Sequence, residues 1–192
     1  MAERVKLYVW GVLYEMANAG AYALLLTDES GKRRLPIVIG LAEARTIAFI
    51  LEGRRSRRPF THELMKNTVA AFGGILQEIS IHRFDENIFY SELFFTLGDK
   101  NIKIDSRTSD AIALALMWGC PIYMHRDIFD AMSLKSEVYG KMASPSSVAD
   151  YTEEELEELL RKAVEKEDYE EASEWRDILR MRRGKNKDDE KN

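Results

Sequence analysis

Six consecutive residues, Asp105-Ser106-Arg107-Thr108-Ser109-Asp110, bring two carboxylates, a guanidinium and three hydroxyls together. They stand directly before Ala111–Trp118, a run that is apolar on every helical face, as expected of a helix buried in a core. Asp105 and Asp110 lie five positions apart across this strand-to-helix turn, so their carboxylates can converge. Carboxylates that converge suit a hard divalent cation such as Mg²⁺ or Mn²⁺, and a guanidinium beside them suits phosphate. The same residues also read as capping chemistry. Ser106 or Thr108 can cap the helix, and Asp110 then lies in its first turn, where the dipole favours an acid.

Other ionisable residues collect upstream. His62 and Glu63 are neighbours at a helix start, where consecutive side chains diverge by about 100°, so only one of them faces a given site. His62 reads as a general base or ligand, or as a first-turn histidine bonded to a backbone carbonyl. Glu43 also opens a helix, where the dipole alone explains an acid. The basic loop Arg54-Arg55-Ser56-Arg57-Arg58-Pro59 is the best candidate contact for nucleic acid, although exposed arginine runs are often only solvated. Arg58 and Arg107 suit a phosphate clamp or an ion pair with a nearby carboxylate. No HxH, CxxC or HExxH spacing occurs, which argues against zinc, and there is no Gly-Lys-Ser/Thr phosphate loop.

The elements that must position these residues follow from periodicity. Strands are expected at 5–16, 21–27 and 34–39, then a helix over 41–51 ending at Gly53. A second helix starts near Thr61 and runs to Phe72. A hairpin pairs 75–84 with 88–97, a short strand covers 101–104, and the buried helix follows. A strand at 121–125 and a helix at 127–132 close the domain. Ile37, Ile39, Ile47, Ala48 and Leu51 are echoed 65 positions later by Ile102, Ile104, Ile112, Ala113 and Leu116. The expected fold class is therefore α+β: two β-β-β-α units, joined by the helix at 61–72, sharing one mixed-sheet core. That domain spans 1–132 and a linker 133–150. Leu156, Leu159, Leu160, Ala163 and Val164, then Tyr169, Ala172, Trp175 and Leu179, make two amphipathic stripes. They form an α-helical hairpin over 151–183, and residues 184–192 read as a disordered tail.

Charge is unevenly spread over the 192 residues. The net −5 divides into −6 from Asp150 onward (16 acidic, 10 basic) and +1 before it (17 acidic, 18 basic). The first part neither repels nucleic acid nor announces it by charge alone. With Cys120 as the only cysteine, no intrachain disulfide can form, which suits a reducing cytoplasm. No signal-peptide core and no membrane-length apolar run is present, so a soluble, cytoplasmic protein with no membrane partner is expected.

Three stretches, PIVIGLAEARTIAFILEG (36–53), RPFTHEL (58–64) and IDSRTSDAIALALMWGCPIY (104–123), resemble the bifunctional nuclease family in order and spacing. LEELLRKAVEKEDYEEASEWRDILRM (156–181) resembles the UVR motif, the helical hairpin of the UvrB and UvrC repair proteins. The resemblance implies cleavage of DNA and RNA with a divalent metal, Mg²⁺ or Mn²⁺. On that reading Asp105, Asp110, His62 and Glu63 are the catalytic candidates, and Asp105, Asp110, Glu63 and Glu43 the metal ligands. Arg58, Arg107, Arg54 and Arg55 would contact the substrate. The family commonly has Asp where this chain has Glu63, which lengthens the reach of that ligand, and Pro where it has Thr108.

A rival reading makes the compact domain a non-catalytic oligomeric module, with the hairpin docking a repair or stress-response protein. The near-neutral domain charge and an acidic appendage favour it. The clustering of ionisable residues in three separated motifs favours the nuclease. Self-association, as a dimer, is expected on either reading, because strand edges and the hairpin offer unpaired or apolar surface.

Overall fold

In a computed structural model, the described residues are 3–15, 21–54, 57–135 and 153–165, with Tyr169, Ala172, Trp175, Arg176 and Leu179 beyond them. The chain divides into two compact units, Met1–Pro145 and Ser146–Asn192.

The first unit is built in the order the hydrophobic periodicity predicts. Strands β1 (Arg4–Glu15), β2 (Ala21–Asp28) and β3 (Arg33–Ile39) lead into helix α1 (Leu41–Leu51). Helix α2 (Thr61–Ala71) follows. Then β4 (Gly74–Asp85), β5 (Ile88–Leu97) and β6 (Lys100–Arg107) lead into α3 (Thr108–Trp118). The two β-β-β-α units are thus present, and the fold is α+β. β7 (Ile122–His125), α4 (Arg126–Met132) and the two-residue β8 (Leu134–Lys135) complete the unit. Paired structure therefore runs past residue 132.

All eight strands form one sheet in the order β6-β5-β4-β7-β1-β2-β3-β8. Each three-stranded unit is an antiparallel meander, and β7 joins them, antiparallel to β1 and parallel to β4. Alternation sets the core face: Leu35, Ile37 and Ile39 of β3 are buried while Val38 between them is exposed. The tight turn between β4 and β5 places Glu86 and Asn87 at positive φ (46° and 64°), the conformation a two-residue hairpin needs.

Helix α3 is the centre of the packing. Ala111 to Ala115 are all buried, as its all-round apolar sequence requires, and α3 packs on α1, α2, β4 and β5. Gly119 ends it at φ 70°, the left-handed cap that glycine adopts without strain. Its start differs from the expectation. Arg107 is the N-cap and no side chain caps the helix, because β6 extends through Asp105, Ser106 and Arg107. Thr108 instead becomes the first helical residue. It is buried, and its hydroxyl donates to the Phe89 carbonyl at 2.9 Å and lies 2.6 Å from the Ser91 hydroxyl.

In the second unit, α5 (Glu153–Glu165) carries buried Leu156 and Ala163. Ala172, Trp175 and Leu179 are helical and buried as well. The rest of the expected hairpin connection and the 184–192 tail lie outside the described residues, as does most of the 133–150 linker.

Candidate active site

Three helix starts meet at one cluster of side chains. Glu43 is the third residue of α1, His62 the second of α2 and Asp110 the third of α3, with Arg107 at the N-cap of α3. Asp110 is the hub. His62 Nε2 lies 2.9 Å from Asp110 Oδ1. Arg107 donates twice to the same carboxylate, Nε to Oδ2 at 2.7 Å and NH2 to Oδ1 at 3.0 Å. Its remaining nitrogen, NH1, is 2.9 Å from Glu43 Oε1. A forked guanidinium spans two carboxylates in this way and an ammonium does not.

Burial grades across the cluster. The side chains of His62, Glu43 and Asp110 keep 16%, 19% and 25% of their exposure, against 68% for Arg107. Burial alone would raise the pKa of Asp110. Hydrogen bonds from Arg107 and His62, together with their charges, outweigh it and hold the carboxyl below its ordinary value. The hydrogen bond to Asp110 in turn raises Arg107. Ionised Asp110 only accepts, so the His62 nitrogen facing it carries a proton, and in the neutral ring Nδ1 is the one with the lone pair.

Glu43 is aimed by its neighbour Gly40. A Cβ built at Gly40 would stand 2.7 Å from Glu43 Oε2, so the carboxylate folds back over the helix cap through space that any other residue would fill. The spacing of this pair, an N-cap and the third helical residue, is that of a capping box, but glycine has no side chain to complete one. Its consequence for Arg107 was not readable in the sequence. Lys66, also unforeseen, donates to the Met117 carbonyl at 2.6 Å and lies over the Trp118 ring at 5.6 Å. Helix α2 is thus tied to both ends of α3 by polar contacts, although α2 itself buries no residue.

The cluster opens on a cleft of about 650 Å³ lined by Glu43, His62, Asp105, Arg107 and Asp110, with Phe60 and Met65. The remaining candidates are placed as follows. Asp105 sits in β6 opposite Glu92 and lines the cleft, and its carboxylate has no hydrogen-bond or ion-pair partner among the described residues. Glu63 does not line the cleft, as the divergence from His62 requires. Arg54 pairs with Glu52 at 3.2 Å and stacks on Phe49, away from the cleft lining. Arg58 is exposed and also outside that lining. Arg55 lies outside the described residues. Cys120 is half-buried, and burial pushes its thiol up to about 11, so it is no nucleophile at neutral pH.

Among the described residues, no three His, Cys, Asp or Glu side chains are grouped to hold a metal. Of the four acids suggested as ligands, Asp110 and Glu43 face Arg107 and Glu63 is elsewhere. Asp105 keeps free oxygens in the cleft. One carboxylate completed by water and substrate phosphate is a common way to hold Mg²⁺, and the donor set fits that mode and not a preformed protein cage.

No helix among the described residues is long and apolar enough to cross a membrane. Residues 24–137 match the bifunctional nuclease domain, and residues 154–181 match the UvrB/uvrC motif. An uncharacterised protein of Mycobacterium tuberculosis (strain H37Rv) is 36% identical over 137 residues, 71% of this chain and 82% of that protein. Bifunctional nuclease 2 of Oryza sativa is 27% identical over 187 residues, 86% of this chain and 57% of the rice protein. Bifunctional nuclease 1 of Arabidopsis thaliana is 24% identical over 195 residues, covering 91% and 60%. This chain therefore spans under two thirds of those plant relatives. The extent of the domain match and the mycobacterial likeness establish that the chain belongs to the bifunctional nuclease domain family.

Proposed function

We propose that this protein hydrolyses phosphodiester bonds of DNA or RNA in the cleft at Asp110. The observation that carries the reading is the His62–Asp110–Arg107 constellation: an imidazole oriented by a carboxylate, next to a guanidinium with donors to spare. Three of the five Arg107 N–H donors face Asp110 and Glu43, which leaves two for a phosphate oxygen. In this mechanism a water gives its proton to His62 Nδ1 as its oxygen bonds to phosphorus. The P–O bond to the leaving sugar oxygen then breaks, and that oxygen takes a proton from solvent. Asp110 keeps the ring in the right tautomer and stabilises the imidazolium.

Charge balance calls for a cation as well. Glu43, Asp105 and Asp110 outnumber Arg107, so the cleft is net negative before a phosphate enters. Mg²⁺ or Mn²⁺ held at Asp105 would offset that charge and act as a Lewis acid on the phosphate. Glu63 and the arginines of the 54–58 loop take no part in the chemical step. The loop would contact the nucleic-acid backbone further along.

We assign the second unit to protein docking. Val164 and Tyr169 are exposed on its helical residues at 51% and 71%, surface that a partner protein would cover. Self-association would use the long outer strand β6, whose residues are nearly all exposed.

The test is cleavage of labelled single strands, duplex DNA and RNA by highly purified protein with Mg²⁺, Mn²⁺ or EDTA, beside His62→Gln and Asp105→Asn. Metal-dependent cutting lost in folded His62→Gln supports the assignment. Equal cutting by wild type and variant would remove His62 from the mechanism. No cutting by any form would leave the docking role as the working one.

A further inference from the structure

We propose that the cleft on the far side of Arg107 from His62 is a nucleobase pocket, seating the base next to the phosphate that Arg107 holds. The inference rests on the phosphate role given to Arg107 above. This second cleft has a volume of about 660 Å³ and shares Glu43, Asp105, Ser106 and Arg107 with the first. Its size falls within the roughly 300–1,000 Å³ of small-molecule pockets. Arg107 is therefore the partition between two adjoining spaces, and a ligand lying across it would have its anionic centre at the guanidinium.

The far cleft has the composition that a base needs. Val38, Phe84, Phe89, Tyr90 and Met132 make apolar walls, and Asn87 supplies an amide. Phe84 and Phe89 are cross-strand partners with ring centroids 4.5 Å apart at a tilt of 44°. An aromatic face accepts any base by stacking, and an amide beside it can read the base edge. The Arg83 guanidinium, 3.7 Å from the Tyr90 ring centroid, holds the same strand end.

The aromatic wall is also fixed relative to Arg107. Thr108, the residue after Arg107, donates to the Phe89 carbonyl at 2.9 Å and meets the Ser91 hydroxyl at 2.6 Å. The strand that carries Phe89 is thus tied to the residue after Arg107 through the buried Thr108 hydroxyl. The opposite wall, residues 36–39 of β3, comes from near the other end of the sheet. The curl of the sheet brings the two ends to this cleft. A base seated there has left the helical stack, so the nucleotide at this position is unpaired when bound.

The experiment compares binding of two labelled single-stranded oligomers of equal length by the full chain, one with thymine at every position and one abasic. Both carry phosphorothioate linkages to slow cleavage, and anisotropy is read with Mg²⁺ and with EDTA. The base-bearing oligomer should bind about tenfold more tightly, the effect of stacking one base. Phe89→Ala, checked for folding, should bring the two oligomers to within about twofold of each other. Equal affinity for both oligomers in the wild type would overturn the pocket while leaving the phosphate role standing. Absence of binding to either oligomer would overturn the phosphate role and the pocket with it. The wild-type comparison decides the matter even where the variant does not fold.

Discussion

His62 and Asp110 stand 48 positions apart in the chain and meet with Nε2 2.9 Å from Oδ1. The contact joins the start of a helix with no fully buried residue to the start of the helix that the whole core surrounds. Because Asp110 also takes both hydrogen bonds from Arg107, one carboxylate orients the base and the phosphate clamp together.

Asp110→Asn keeps the shape of the side chain and removes its charge. It should lower the cleavage rate by about 10²- to 10⁴-fold, the range for a lost acid–base function. It should also cost roughly 1–2 kcal/mol, a charged hydrogen-bond loss discounted for the partly exposed setting. Steady-state kinetics and urea unfolding measure the two effects. A variant that lost stability but kept its rate would make the cluster structural.

The same carboxylate sets an acid limit on stability. Its folded-state pKa is depressed below the ordinary 3.8, so its stabilising contribution is present above that value and is lost as pH falls through the depressed one. The difference in urea midpoint between wild type and Asp110→Asn should therefore persist at about pH 5 and shrink only below the usual carboxylate range. A difference that already closes near pH 6 would mean that another group controls it.

Gly40→Ala tests Glu43 from outside the cleft at Asp110, at a residue that lines the far cleft only. Gly40 has an ordinary φ of −77°, so alanine brings no backbone strain. Its methyl would claim the position 2.7 Å from Glu43 Oε2, and the flexible carboxylate must swing away from Arg107. Substrate KM should rise by about three- to tenfold, the scale of one weakened charged contact. Thermal stability should fall by only about 1 kcal/mol, the difference between the two residues as helix caps. An unchanged KM would show that Glu43 does not hold Arg107 for binding.

Lys66→Ala removes the second tie of α2. With no fully buried side chain, this helix leans on its polar contacts more than α1 or α3 does. Amide exchange over Thr61–Ala71 should quicken by about tenfold for a lost contact of ~1.4 kcal/mol, with β4 and β5 unaffected. Cleavage should fall by a smaller factor than in the Asp110 variant, since His62 is loosened and not removed. Uniform acceleration across the domain would show global destabilisation in place of a local tether.

Much of this was legible in the sequence because the relevant signals are local. Alternating apolar residues located the strands, the all-round apolar run at 111–118 marked the central helix, and the order of elements gave the repeated unit. Asp110, Arg107, His62 and Glu43 were each recognisable as ionisable residues at helix starts. What the sequence withheld was which of them meet. Strand length decided one case: β6 runs three residues further than expected, so Asp105 belongs to a strand and Thr108 to the core. Helix phase decided another, turning His62 towards Asp110 and Glu63 away. The curl that brings β3 opposite β5 depends on the whole sheet, and no window of residues encodes it.

β7 has a consequence for how the chain is made. Among the described residues its four are the sheet's sole join between β1 and β4, so Arg4 waits for His125 before it finds its strand partner. Until Ile122–His125 leaves the ribosome, the two meanders are not joined strand to strand, and each keeps a long uncovered edge. A chain cut short just before Pro121 would keep every hairpin and the packing of α1 on α3, yet could not close the sheet. Such a fragment would expose the β1 and β4 edges to each other's copies, and pairing between molecules would replace pairing within one. Sedimentation of the 1–120 fragment would show it as aggregates, where the full chain gives a discrete species.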